Sequence, residues 1–239
     1  MKNILIVGLG NIGFRHYQSI LKSKYRFKLH IVDKDSNKLK IACDYYDNLI
    51  KKKKLKIKLS YYSNIPKIHS EVNVAIIATN ADIRKFLIKE LVRKNKVKNL
   101  ILEKIAFQTF REYKYINNLI NLKKINTFIN FPRRTMTFYK NLKKIIRAKS
   151  SVRMNVKGFN WGLASNSLHM VDLLTFLTNE KIHSIKDFSL HKRLFKTKRN
   201  NFYDFKGTME FETKNKSTLL IEDVKSYKNV NFCIEISFR

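Results

Sequence analysis

The chain is predicted to be an α/β protein: a doubly wound parallel sheet followed by an α+β domain with a mostly antiparallel sheet. Three observations carry this. The first half alternates short, fully apolar runs with stretches of helical spacing, the pattern of repeated β-α-β units around a parallel sheet. The second half alternates polar and apolar residues, as in Phe205, Thr208, Met209, Glu210, Phe211 and Glu212, which suits a sheet with one solvated face. Finally, a glycine-rich turn ends the first apolar run.

Ile4, Leu5, Ile6 and Val7 read as a strand buried on both faces, and Gly8, Gly10 and Gly13 then give G-x-G-x-x-G before the helical spacing of Phe14 to Lys22. In such a turn the first glycine lets the chain double back and the second lets backbone approach a pyrophosphate. The third lets the following helix pack close to the sheet, its first N–H groups aimed at the phosphates. The next apolar run, Leu29 to Val32, ends at Asp33, the separation at which a carboxylate takes the adenosine ribose hydroxyls. Strand, turn, helix and acid in that order predict a dinucleotide site in a Rossmann domain. A merely tight strand-to-helix turn is the competing reading.

The remaining elements follow in order. Ser36 is expected to cap a helix running to Ile50, followed by a short strand at Leu55 to Leu59. Val72 to Ala78 is a second fully buried strand, Ala81 to Lys94 a helix, Val97 to Leu102 a strand, and Phe110 to Leu122 a helix; Thr127 to Phe131 closes this half. Right-handed crossovers between parallel strands complete the picture. Beyond the boundary near Phe131, Tyr139 to Ala148 reads as a helix, Val152 to Phe159 as a strand and Ser165 to Leu177 as an apolar helix. Strand-like stretches at 182–191, 202–213, 217–225 and 230–238 follow, with turn-formers such as Asn215 between them. The expected domains are therefore 1–130, dinucleotide-binding, and 131–239, an α+β domain.

Composition narrows the function classes. At 239 residues, 44% of them hydrophobic, the chain can bury one large or two modest cores. No apolar run approaches the roughly 18 residues of a membrane span, and the first apolar run leads into glycine rather than a cleavage site, against a signal peptide. Cys43 and Cys233 match no metal or redox spacing, so no metal is expected, and a cytoplasmic location follows. The net charge is +32, from 50 Lys and Arg against 18 Asp and Glu. A polyanion partner would exploit it by counterion release, but the cations are spread through a chain rich in Lys, Ile and Asn, as in a protein from an AT-rich genome. The one dense run, Lys51 to Lys54, belongs to no nucleic-acid motif, so no nucleic-acid partner is expected.

Two positions could carry chemistry. Glu103 and Lys104 follow directly on a strand, at the carboxyl edge where ligands of open α/β sheets sit. A lysine there can donate to a substrate oxygen, and neighbouring cations lower its pKa; a plain surface lysine is the alternative. His169 lies within SNSLHMVDLL, with Asp172 three residues on and so on the same helical face. A neutral histidine suits removal of a hydroxyl proton, although a satisfied helix–sheet histidine has the same setting. His16, His30, His69, His183 and His191 are assigned no role.

GLGNIGFRH, Ala78–Thr79, Glu103–Lys104, Asn130-x-x-Arg133–Arg134 and H-x-x-D occur in this order along the whole chain. Together they resemble the Gfo/Idh/MocA oxidoreductase family. The resemblance implies an NAD cofactor, with NADP as the alternative, and hydride transfer at a carbon of a sugar, polyol or nucleotide sugar. Lys104 matches the family's E-K-P lysine and His169 its catalytic histidine. Gly8, Gly10, Asn11, Ile12, Gly13, Asp33, Ala78, Thr79, Asn80 and Glu103 would then hold the cofactor, and Arg133, Arg134, Asn166 and Asp172 the substrate. Asp33 favours NAD because a carboxylate repels a 2′-phosphate; the adjacent Lys34 acts in the other direction. The NWG…SNSLHMVDL segment, with the Arg133–Arg134 pair, is most similar to members encoded with surface-polysaccharide or nonulosonic-acid genes. Departures from the family are Ile105 for the E-K-P proline, Asn80 for the A-T-P proline, Arg84 where many members have His, and Ser165 for an acid four residues before the histidine. Members commonly run to well over 300 residues, so a C-terminally short chain with an exposed sheet edge is expected, alongside homo-oligomer contacts through the second sheet. Two other functions stay open: a non-catalytic dinucleotide-binding protein, and a basic nucleic-acid-binding protein.

Overall fold

The first apolar run becomes a central strand. In the computed structural model, which describes residues 1–51, 57–146, 151–197, 202–224 and 232–238, the chain divides into two units, Met1–Asn130 and Phe131–Arg239. The first unit contains β1 (Lys2–Val7), α1 (Asn11–Leu21), β2 (Phe27–Val32), α2 (Ser36–Ile50), β3 (Ile57–Tyr62), β4 (Val72–Ile77), α3 (Ala81–Lys94), β5 (Asn99–Leu102), α4 (Phe110–Leu122) and β6 (Asn126–Ile129). Its strands form one parallel sheet in the order β3-β2-β1-β4-β5-β6. Alternate residues of a strand face opposite sides, so each side builds its own core. Leu5, Val7, Ala75 and Ile77 pack with Ile88, Leu91 and Ile116 on one side. On the other, Ile6, Leu29, Ile31 and Ile76 pack with Tyr17, Leu21 and Ala42. Burial on both faces is why these strands are continuously apolar.

Local differences from the sequence expectation have local causes. α1 begins at Asn11 rather than Phe14, because its first turn is built from the glycine motif itself, with Gly10 as N-cap. The cap of α2 is Asp35, not Ser36: the Asp35 carboxylate accepts from the Asn37 N–H at 3.0 Å, and an aspartate one residue earlier outcompetes the serine. β3, described over Ile57–Tyr62, continues three residues past the expected end at Leu59.

The second unit opens with a 3₁₀ turn at Pro132–Thr135, then α5 (Thr137–Ile145), β7 (Val152–Gly158), α6 (Leu163–Thr178), β8 (Ile182–Leu190), β9 (Phe195–Lys196), β10 (Tyr203–Asp204), β11 (Gly207–Thr213), β12 (Thr218–Asp223) and β13 (Cys233–Phe238). Five of these strands make a sheet ordered β13-β7-β12-β11-β8, antiparallel except for the β7–β12 pair. The exception follows from the path of the chain: α6 returns it so that β8 runs with β7, and two reversals through β11 leave β12 parallel to both. The apolar stripe of α6 (Leu163, Met170, Leu173, Leu174, Leu177) packs on Met154, Val156, Leu219 and Ile221, while Ile185 and Phe188 of β8 are exposed.

The predicted strand 202–213 is broken in two, β10 pairing with β9 instead of joining the sheet. Asp204 explains the break. Its Oδ1 accepts from the Ala164 N–H at 2.7 Å and the Phe205 N–H at 2.9 Å, supplying the first turn of α6 with an acceptor that its N-cap, Gly162, cannot offer. Lys52 to Lys54, Leu55, the end of the predicted helix at 147–148, and positions 225, 230 and 231 of the last two predicted strands lie outside the described residues.

Candidate functional site

In the first unit the strand order reverses direction between β1 and β4, the switch point outside whose carboxyl edge open α/β sheets bind ligands. Six loops meet that edge, one after each strand, and the three glycines of the first behave differently. Gly8 has φ +95° and its N–H donates to the Val32 carbonyl at 2.8 Å, so a side chain there would be strained. A Cβ on Gly13 would run into the Gly8 carbonyl and press on Ala78, which is the close helix–strand approach expected of the third glycine. Gly10 is required by neither constraint: its φ of −62° suits any residue, and a Cβ there would meet nothing within 4 Å. Above it, the first turn of α1 has no side-chain cap and no acid, whereas α2 and α4 are capped by Asp35 and Thr109. This open cradle of unpaired backbone donors fits the pyrophosphate of a dinucleotide.

Asp33 is buried, and both its oxygens are engaged: Oδ2 accepts from the Leu9 N–H at 2.6 Å and Oδ1 from the Asp35 N–H at 2.9 Å. Lys38 Nζ stands 4.0 Å from Oδ2. The carboxylate therefore ties the glycine loop to the end of β2, and its remaining lone pairs are what it can offer a ribose. Asn11, Ile12 and Asn80 are exposed. Ala78 and Thr79 back the glycine turn, since a Cβ on Gly8 would come within 2.7 Å of Thr79 Cγ2.

Glu103 is the hub of the β5 loop. Its Oε1 accepts from His16 Nε2 at 2.7 Å, reaching it from α1, and from Asn130 Nδ2 at 2.7 Å, at the end of β6. Burial alone would push this carboxyl up. The bonds from His16 and Asn130, with the charges of His16 and Arg84, outweigh burial and hold it below the usual carboxylate range. Lys104 is half-buried in the same loop, and its peptide bond to Ile105 is cis. Beneath it lies Arg84, only 2% exposed, whose Nη1 donates to the carbonyls of Glu103, Ile105 and Ala106 and whose Nη2 donates to that of Thr79.

The second unit holds the other candidates. His169 is half-buried on α6, its ring edge-to-face with Phe131 at 5.6 Å between centroids. Arg134 Nε donates to both oxygens of Asp172 at 2.8 Å, and its Nη2 donates to Thr175 Oγ1 at 3.3 Å. Arg133 donates to the Tyr139 hydroxyl at 3.1 Å. Asn166 donates to the Trp161 carbonyl at 2.5 Å and Ser165 to that of Gly162 at 3.2 Å. The Asn160–Gly162 turn is pinned from β12: Asp223 accepts from the Asn160 N–H at 2.9 Å, and burial pushes the Asp223 carboxyl up.

Within the first unit the structure gathers the glycine loop, Asp33, Ala78, Thr79 and Glu103 on one sheet edge, and within the second it places His169 and Asp172 on one helix. Three residues of the first edge carried no site role on sequence grounds: His16, Asn130 and Arg84. For His16 a signal existed, three residues after Gly13 and so on the same helix face. For Arg84 the signal was a charge at i−4 from Ile88 and i−7 from Leu91, on the apolar stripe of its helix. Both cysteines are free. Among the described residues no His, Cys, Asp and Glu cluster could hold a metal, and no helix is long and apolar enough to cross a membrane.

Comparison with known proteins agrees with this geometry. Residues 2–131 match the GFO_IDH_MocA family model, described as an oxidoreductase family with an NAD-binding Rossmann fold. No curated protein matches the chain in sequence. Among solved structures, the chain is similar to the WlbA dehydrogenase from Chromobacterium violaceum in complex with NADH and UDP-GlcNAcA, at 17% identity and a TM-score of 0.72, over 98% of this chain and 71% of that one. The WlbA dehydrogenase from Bordetella pertussis, also with NADH and UDP-GlcNAcA, gives 15% and 0.74, over 98% and 70%. UDP-N-acetylglucosamine 3-dehydrogenase GnnA from Acidithiobacillus ferrooxidans gives 11% and 0.70, over 98% and 73%. At these identities the likeness establishes the fold.

Proposed function

The chain belongs to the Gfo/Idh/MocA oxidoreductase family, whose Rossmann fold binds NAD, and from that premise we propose that it is an NAD-dependent dehydrogenase acting on a carbon of a nucleotide sugar, in the synthesis of a surface polysaccharide. The observation that carries the reading is the Gly10 cradle, where none of the described residues demands a glycine and the helix above it has no side-chain cap. Its chemistry fits a bound pyrophosphate. Asp33, Asn11 and Ile12 would border the cofactor's adenosine and phosphate end, and Thr79, Asn80 and Glu103 its other end.

When bound, NAD supplies a hydride acceptor or donor at its nicotinamide. The work left to the chain is to hold the substrate oxygen and to move one proton. Lys104 is assigned the first task, donating a hydrogen bond to the reacting oxygen. His169, in its neutral form, is assigned the proton, taken from the hydroxyl in oxidation and returned in reduction. Arg133, Arg134, Asn166 and Asp172 are assigned to the substrate's polar groups. The folds shared with WlbA and GnnA support a UDP-sugar class.

The test is fluorescence titration with NADH and NADPH, followed by turnover with NAD and UDP-GlcNAcA. NADH binding with turnover supports the reading, and a folded protein that binds neither cofactor refutes it. One observation favours a non-catalytic dinucleotide-binding protein instead. Ser165, which stands where the family has an acid, turns its hydroxyl back to Gly162 within its own helix. Cofactor binding without turnover on any UDP-sugar would select that reading.

A further inference from the structure

We infer that Arg84 is a positioning residue for the proposed active site: its guanidinium fastens the β5 loop, and with it Lys104, to the end of β4. The inference rests on the assignment of Lys104 to the substrate oxygen. It starts from a conflict in the sequence. Position 84 lies on the inner stripe of α3 with Ile88 and Leu91, all essentially without exposure, where a charge is costly unless its donors are satisfied.

The loop facing it answers most of that conflict, taking up the Nη1 and Nη2 donors, while the buried Nε has no partner among the described residues. Between β5 and α4 the chain turns inward, burying Ala106 and Phe107, and buried backbone carbonyls need partners. Nη1 of Arg84 reaches Glu103, Ile105 and Ala106 at 2.6, 2.5 and 2.9 Å. Nη2 reaches the Thr79 carbonyl, next to the Gly8 turn. One planar group thus joins two of the loops at the carboxyl edge, and Lys104 lies between two of the carbonyls it holds. Burial draws the guanidinium down to about 10, with Glu103 opposing the effect, so it is charged at neutral pH. A lysine would keep that charge but lose the fork that serves several acceptors at once.

The test uses the full chain without cofactor. Amide hydrogen exchange is compared in the parent, Arg84→Lys and Arg84→Met. If Arg84 clamps the loop, the Glu103 amide, which donates to the Ile77 carbonyl at 3.3 Å, exchanges at least about tenfold faster in both variants, while those of β1 and α1 keep the parent's protection. Unchanged protection of the Glu103 amide, or equal loosening of β1 and α1, overturns the inference; if Arg84→Met fails to fold, Arg84→Lys alone decides. A second arm measures turnover of UDP-GlcNAcA with NAD. Arg84→Lys should lower kcat about ten- to a hundredfold with the NADH Kd nearly unchanged, and should cost almost nothing further when Lys104 is already alanine. Full multiplication of the two effects would show that Arg84 does not act through Lys104. A parent that does not turn over UDP-GlcNAcA counts against the proposed function, and the exchange arm still decides the clamp.

Discussion

Replacing Gly10 with aspartate should raise the stability of the cofactor-free protein while abolishing NADH binding. The backbone at Gly10 (φ −62°, ψ −178°) is ordinary extended chain, and a Cβ would meet nothing within 4 Å, so the fold does not resist the substitution. Gly10 is also the N-cap of α1, a helix with no side-chain cap and no acid in its first turn. Aspartate there gains a few tenths of a kcal/mol over glycine as a cap and about 0.3–1 kcal/mol from the helix dipole. For a chain of this size, about 1 kcal/mol corresponds to a rise in Tm of roughly 2–4 °C. For the cofactor the same carboxylate faces the pyrophosphate, where two like charges about 4 Å apart repel by about 4 kcal/mol near a protein surface. NADH affinity should fall at least about a hundredfold. Thermal melting without cofactor and fluorescence titration with NADH read the two effects separately. A fall in Tm of more than a few degrees would refute the open-cradle reading, and undiminished NADH binding would refute the placement of the pyrophosphate. Gly13→Ala should do the reverse to stability, lowering it by about 1–3 kcal/mol, because its Cβ has only the Gly8 carbonyl to displace.

Further outcomes follow from the same geometry. Glu103 is held below the usual carboxylate range, so its contribution to stability is complete above the unfolded value of about 4.3 and lost as pH falls through the lower folded value; in melts across pH 3 to 7, Glu103→Gln should flatten this acid limb. Asp172→Asn removes a carboxylate that receives two bonds from Arg134 and should cost about 1–3 kcal/mol in urea unfolding, at the lower end because Arg134 keeps partial access to water. Lys104→Ala and His169→Ala should each reduce turnover at least about a hundredfold while leaving NADH titrations near the parent's; unchanged turnover in both variants would remove those residues from the mechanism.

Much of the first unit was legible in order along the chain. Continuous β-branched runs, a glycine turn and an acid after the second run are local consequences of a sheet buried on both faces, so periodicity and spacing found β1, β2, β4 and β5 and the edge where the site residues gather. The second unit was less legible. The break in 202–213 depends on Asp204 reaching the first turn of α6, some 40 positions earlier in the chain, and no local pattern encodes a contact of that range.

What the sequence alone determined is the class of the protein: the parallel sheet, the dinucleotide turn, and the order of motifs that leads to an NAD-binding oxidoreductase family. These rest on residues that act on their immediate neighbours. Tertiary structure alone decided which of several similar residues do the work. It separated Gly10, where a Cβ would meet nothing within 4 Å, from Gly8 and Gly13, demanded by the fold. It turned Asp33 into a strut for the glycine loop, joined His16 to Glu103 and Asn130, and gave Arg84 four carbonyls to hold. Each of those outcomes is a hydrogen bond or close approach between strands and helices distant in sequence, and such partners exist only once the sheet has brought its loops to one edge.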